Sequence, residues 1–220
     1  MKYDLILSTK KKSIWKNTCE MIILHHTWGW NFKGNMEYLA NNKAQASAHY
    51  VVWQAWEVGK IWEDTDILWQ AWTSSWNWKT DLNKYSIWIE IVWPWFTDIQ
   101  KDKVNELVLE LIKKHNIKKE NLVRHKDIAP GRKIDPDDSL WKTRHPNFEA
   151  YKNFLFSKLT IMEAIWFYED IYKKENPNGW SVIKDIDWAI TRLVDANWNL
   201  KWKETIYFFW VIAERLFDKK

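Results

Sequence analysis

Glycine is scarce in this chain. Five glycines occur in 220 residues, where average usage of about 7% would place roughly 15. Tight turns and close backbone crossings normally rely on glycine, because φ > 0 or a near approach leaves no room for a Cβ. Cysteine is scarcer still. Cys19 stands alone, which excludes an internal disulfide and fits a reducing compartment. No apolar run approaches ~18 residues, so no membrane-spanning helix is expected. The opening MKYDLILSTKKKSIWK has no apolar core behind a basic start and does not read as a signal peptide. A cytoplasmic protein is the expectation.

A strong charge of one sign is missing too. The net charge is +4, and residues 159–220 hold nine Lys/Arg against ten Asp/Glu. The basic run Lys10-Lys11-Lys12 reads as a solvated loop, so nucleic acid is not an expected partner. Oligomeric state is not encoded in any pattern of the sequence.

Apolar segments are plentiful. CEMIILHHT (Cys19–Thr27) reads as a buried strand, and GNMEYLANNKA as a short helix. SAHYVVWQAWEVGKIWED reads as two short strands around a turn, and Ser86–Val92 as a third clear strand. Thr97 or Asp98 can cap a helix in which Val104, Leu107, Val108, Leu111 and Ile112 form one buried stripe. Residues 121–144 hold two prolines, a glycine and many charges, and read as an ordered loop too long for a simple connector. Beyond it, helical patterns at about 160–175, 182–195 and 203–217 suggest a small all-helical appendage. The expected architecture is α/β: a central mixed β-sheet flanked by helices over residues 1–157, then a helical region of unknown role over 158–220.

Among the six histidines, His115 on a charged helix reads as a surface residue, and His145 before a proline as a loop residue. His125 and Asp135 stand ten residues apart on the Pro/Gly segment, and a histidine ending a buried strand could join them. Two imidazoles, one carboxylate and an open position are the usual makings of a catalytic zinc site. Spacing alone is a weak signal.

The motifs IILHHT, SAHYVV, SSWNWKTDLNKYSIWIEIVW and RHKDIAPGRKIDP are more specific. In this order they resemble the zinc-dependent N-acetylmuramoyl-L-alanine amidases, the type-2 family that includes peptidoglycan-recognition proteins and phage lysins. The resemblance spans roughly residues 15–150. It implies that His25, His125 and Asp135 bind Zn²⁺, that Glu90 is the acid–base group, and that Lys133 places positive charge at the developing oxyanion. Trp76, Asn83 and Arg132 are implied as substrate contacts. The catalytic tyrosine of some members is replaced here by Ala48. His26 and His49 match positions that are not ligands and are expected to be packed and hydrogen-bonded beside the site. The implied reaction cleaves the amide between N-acetylmuramic acid and L-alanine in peptidoglycan or muropeptides. The implied setting is cytoplasmic recycling or a phage-type lysin released to the wall. A non-catalytic peptidoglycan-recognition module is the alternative.

Twenty tryptophans accompany the five glycines. The family motif S-I-G-I-E appears here as Ser86-Ile87-Trp88-Ile89-Glu90. Trp56, Trp72, Trp78 and Trp93 also stand where relatives tend to carry glycine, as do Trp28, Trp30, Trp53 and Trp95. Trp69 and Trp76 instead match aromatic positions. Trp180, Trp198, Trp202 and, less clearly, Trp210 share the pattern in the tail. UGA codons meaning glycine but translated as tryptophan would account for it, and such a chain is expected to fold poorly. The competing explanation is a tryptophan-rich face for stacking on sugars.

Overall fold

The structure, a computed structural model, describes residues 2–7, 15–29, 31–41, 44 and 46–159. In chain order the elements are β1 (Leu5–Ile6), β2 (Met21–Trp28), α1 (Phe32–Ala40), β3 (Tyr50–Val52), β4 (Val58–Lys60), β5 (Ser75–Trp76) and β6 (Lys79–Thr80). Then come β7 (Ser86–Trp93), α2 (Asp98–His115), β8 (Leu122–Arg124), α3 (His125–Ile128) and α4 (Ser139–Lys142). The chain divides into two units, Met1–Thr143 and Arg144–Lys220. The helical patterns expected beyond residue 159, and the tryptophans at 30, 180, 198, 202 and 210, lie outside the described residues.

The apolar runs pair as a six-stranded sheet in the order β1-β4-β3-β7-β2-β8. β2 runs parallel to both β7 and β8, β3 parallel to β7, and β3 antiparallel to β4, so the sheet is mixed as expected. Alternation along the two central strands sends Ile23 and Trp88 to one face and Ile22, Leu24, Ile87 and Ile89 to the other, all fully buried. Both faces must therefore be covered. Met36 and Leu39 of α1 join Ile23, Val51, Trp88 and Val92 in one core. The α2 stripe Val104, Leu107, Val108, Leu111 and Ile112 is buried but belongs to no part of that core, which assigns it to the opposite face.

Thr97, one of the two caps the sequence offers, closes the start of α2 by accepting from Gln100 N. Gln100 Nε2 then donates to the carbonyls of Val52 and Val92, tying the first turn of α2 to the ends of β3 and β7.

Two expectations need correction. The 121–144 segment is not a loop throughout: it holds β8, α3 and α4. Leu122 and Val123 are buried as the sheet's edge beside Ile22 and Ile23, and an apolar pair is too short to announce a strand. His115 is not a free surface residue, because its Nε2 lies 2.7 Å from Asp64 Oδ2. His145 is a loop residue as expected, and it is buried with its ring against Tyr151 and Phe154.

Candidate active site

Strand register builds the site. On β2 and β7, His25 and Glu90 are direct partners. On the other side of β2, Leu24 pairs with Arg124, and the next residue, His125, turns out of the sheet as the first residue of α3. The two imidazoles stand with ring centroids 4.5 Å apart. His25 and Glu90 lie in the carboxyl halves of their parallel strands and His125 just past the end of β8, on the side where open α/β sheets place their ligands.

Asp135 arrives from the Pro130-Gly131 turn. Gly131 has φ +76°, a conformation that favours glycine. The Lys126 N–H donates to the Asp135 carbonyl at 2.8 Å, which fixes the loop on α3. Asp135 Oδ2 lies 3.1 Å from His25 Nε2 and 3.1 Å from His125 Nδ1. The ligand atoms of His25, His125 and Asp135 all fall within 4.8 Å of one another. A tetrahedral ion with bonds of about 2.0–2.1 Å separates its ligands by roughly 3.3 Å. The donor set and its spacing therefore fit an ion such as zinc.

The neighbouring charges match that reading. Burial opposes protonation of His25, but the charge and hydrogen bond of Glu90 and the charge of Asp135 outweigh it and raise its pKa. The same negative field would hold a cation. His125 is pushed down, by burial first, despite its bond to Asp135. Burial alone would raise the Asp135 carboxyl, yet the bond to His125 and the nearby imidazoles lower it to about 2. His125 is thus disposed to be neutral and Asp135 ionised, as ligands must be.

Glu90 is only 1% exposed. Its Oε2 lies 2.7 Å from His25 Nδ1, and its Oε1 accepts from Gln70 Nε2. With His25 Nε2 facing the cluster, Glu90 stands where an outer carboxylate would set the tautomer and ring orientation of His25 if that histidine held an ion. Lys133 is half-buried, and its charge opposes protonation of both His25 and His125. His26 points to the other face and accepts from the Asp137 N–H at 3.0 Å. His49 is fully buried: its Nδ1 accepts from Trp88 N, and its Nε2 donates to the Asp66 carbonyl.

A cleft of about 1030 Å³ opens between the 69–83 segment and the α3 loop, with Trp72, Asn83, Ile128 and Arg132 in its wall. Arg132 donates from Nη2 to the carbonyls of Ala71 and Thr73. Asn83 Oδ1 accepts from the Gln70 and Ala71 N–H groups. Both side chains therefore brace the 70–73 segment as well as line the cleft. Trp76 anchors to the Glu120 carbonyl through Nε1, outside the cleft lining. Sequence motifs missed Gln70 altogether. A lone glutamine carries no signal until the fold places it on Glu90.

The chain is similar to several solved structures. One is AmpDh3 from Pseudomonas aeruginosa, 25% identical with a TM-score of 0.52, covering 61% of this chain and 61% of that one. Another is the amidase AmiD from E. coli in complex with anhydro-N-acetylmuramic acid-L-Ala-D-gamma-Glu-L-Lys, 25% identical with a TM-score of 0.53, covering 65% and 60%. The chain thus spans about three fifths of the length of either protein. PlyL, 17% identical over 59% of this chain and 84% of that one with a TM-score of 0.50, shares the fold. No individual curated protein matches the chain in sequence. The family model described as N-acetylmuramoyl-L-alanine amidase matches residues 15–138 and so takes in every member of the cluster. With more than half of its length matched, the chain belongs to the N-acetylmuramoyl-L-alanine amidase family.

Proposed function

We propose that this protein is a zinc-dependent hydrolase that cleaves the amide between N-acetylmuramic acid and L-alanine in peptidoglycan or muropeptides. One observation carries the reading: His25 Nε2 and His125 Nδ1 converge on the same oxygen of Asp135, next to the buried carboxylate of Glu90. The substrate class is supported by similar structures solved with an anhydromuramic pentapeptide and with a muramyl tripeptide.

His25, His125 and Asp135 would hold a Zn²⁺ ion, which would polarise the scissile carbonyl and acidify the attacking water. Glu90 takes a proton from that water on its carboxylate and delivers it to the departing L-alanine nitrogen. The His25 and Gln70 bonds leave each Glu90 oxygen a further lone pair for this exchange. Lys133 supplies positive charge where the carbonyl oxygen becomes an oxyanion. The products are the muramyl carboxylic acid and a peptide with a free L-alanine amino terminus. Arg132 and Asn83 shape the wall along which the peptide lies.

The test is digestion of purified peptidoglycan and of an anhydromuramyl peptide by zinc-loaded, chelated and Glu90→Ala protein, read by mass spectrometry. New L-alanine amino termini are expected from the loaded protein alone. Equal product from the chelated sample would overturn the proposal.

A further inference from the structure

Gln70 is a buried polar side chain at the site without an assigned role, only 5% exposed. Its Nε2 donates to Glu90 Oε1, and its Oε1 accepts from the Ser47 N–H at 3.2 Å. Its own N–H donates to Asn83 Oδ1 at 3.1 Å. The amide can face only one way. Ser47 N–H needs an acceptor and the Glu90 carboxylate needs a donor, so the neighbours on both sides set its polarity.

We infer that Gln70 is a positioning residue that locks the Glu90 carboxylate in its working orientation. The terminal torsion of a glutamate is broad and roughly two-fold. A bond to His25 alone would leave the second oxygen free to swing about it. Gln70 ties that oxygen to β3's approach through Ser47 and to the segment before β7 through Asn83. The kinetic consequence rests on the hydrolase reading; the clamp itself does not.

Two substitutions and two readouts test this. Gln70→Leu removes the donor, and the near-isosteric Gln70→Glu turns it into a second carboxylate. On an anhydromuramyl peptide, kcat should fall about tenfold or more for either variant while KM stays within about twofold. In a Glu90→Ala background the same substitutions should cost nothing further. Independently, the side-chain carboxyl carbon of Glu90, assigned through Glu90→Gln, should shift in the NMR spectrum of Gln70→Leu. An unmoved resonance, or a kcat loss that persists without Glu90, overturns the inference. A shifted resonance in a protein that leaves the peptide intact sinks the hydrolase reading and leaves the clamp standing.

Backbone dihedrals carry a second inference independently. β5 and β6 pair Trp76 with Lys79, so Asn77-Trp78 is a two-residue hairpin turn. Both turn residues have positive φ, 45° and 67°. A type I′ turn demands that, and Asn-Gly is its preferred sequence. Trp72 also has φ +47°. Asparagine and aspartate tolerate this region, whereas a bulky side chain there is unusual. A sugar-stacking face does not explain tryptophan at a turn apex.

We infer that this backbone is one for glycine at positions 72 and 78, and that tryptophan stands there because UGA codons are translated as tryptophan. The gene should carry UGA at those positions and UGG at 69 and 76. Trp78→Gly and Trp72→Gly should each raise Tm by about 2–4 °C, the usual response of a chain this long to relief of such strain. UGG at position 72 or 78, or a Tm that neither substitution raises, overturns the inference.

Discussion

Glu90 and His25 are cross-strand partners on two parallel strands, and Glu90 Oε2 lies 2.7 Å from His25 Nδ1. In the proposed mechanism the pairing gives one carboxylate two duties, orienting a ligand and moving a proton. Glu90→Gln keeps an acceptor for His25 but loses the base. We expect kcat to fall about 10²–10⁴-fold and zinc affinity to weaken about 10–100-fold. Steady-state kinetics and chelator competition read the two effects separately. Wild-type kcat in Glu90→Gln would remove Glu90 from the mechanism.

Asp135 is the point on which both histidines converge. Asp135→Ala should weaken zinc binding by about 100-fold or more, since direct ligands matter at least as much as their outer partners. Lys133→Ala should instead leave zinc affinity nearly intact and lower kcat. Equal zinc affinity in wild type and Asp135→Ala would place the ion elsewhere.

His49 makes folding sensitive to acid. Burial lowers its pKa from 6.5 to about 4, with its two ring nitrogens engaged by Trp88 N and the Asp66 carbonyl. Between those values the unfolded chain binds a proton that the folded chain refuses, so stability must fall as pH drops from about 6.5 to about 4. The full loss is about 3 kcal/mol at 1.36 kcal/mol per pKa unit. Urea midpoints of wild type and His49→Gln across that range should show a shallower fall in the variant. Parallel curves would refute the assignment.

Asp64 anchors the other end of the sheet. Its carboxylate receives the Tyr50 hydroxyl at 2.5 Å, Lys114 Nζ at 2.6 Å and His115 Nε2 at 2.7 Å. Its carbonyl shares Asn17 Nδ2 with the carbonyl of Ser86, where β7 begins. Asp64→Ala strands a buried phenol and should cost about 3 kcal/mol, the lower end for breaking a buried network. Chemical denaturation should show the loss, with kcat unchanged at pH 7. A loss below ~1 kcal/mol would mean the network is only superficial.

Leu111 lies fully buried in the α2 stripe. Leu111→Ala should destabilise by about 2–5 kcal/mol without touching zinc affinity. A neutral substitution would mean that α2 does not cover the sheet as inferred.

Much of this was legible along the chain. The strands β2 and β7 and the helix α2 announced themselves through alternation and a 3.6-residue stripe, because those periods come from backbone geometry itself. The ordered motifs that end in His125 and Asp135 carried the family resemblance. β8 was not legible, since two apolar residues make no pattern. Gln70 and Asp64 were not legible either, because their partners lie 13 to 51 residues away in sequence.

The chain's own order of residues determined which segments become strands and helices and which histidines end up on which face of them. Tertiary structure alone decided that His25 Nε2 and His125 Nδ1 meet at one oxygen, that Gln70 closes on Glu90, and that Trp78 sits at a turn apex. The reason is physical. Periodicity is a local property of successive residues, whereas convergence depends on strand register and loop closure, which are settled only when the apolar faces pack.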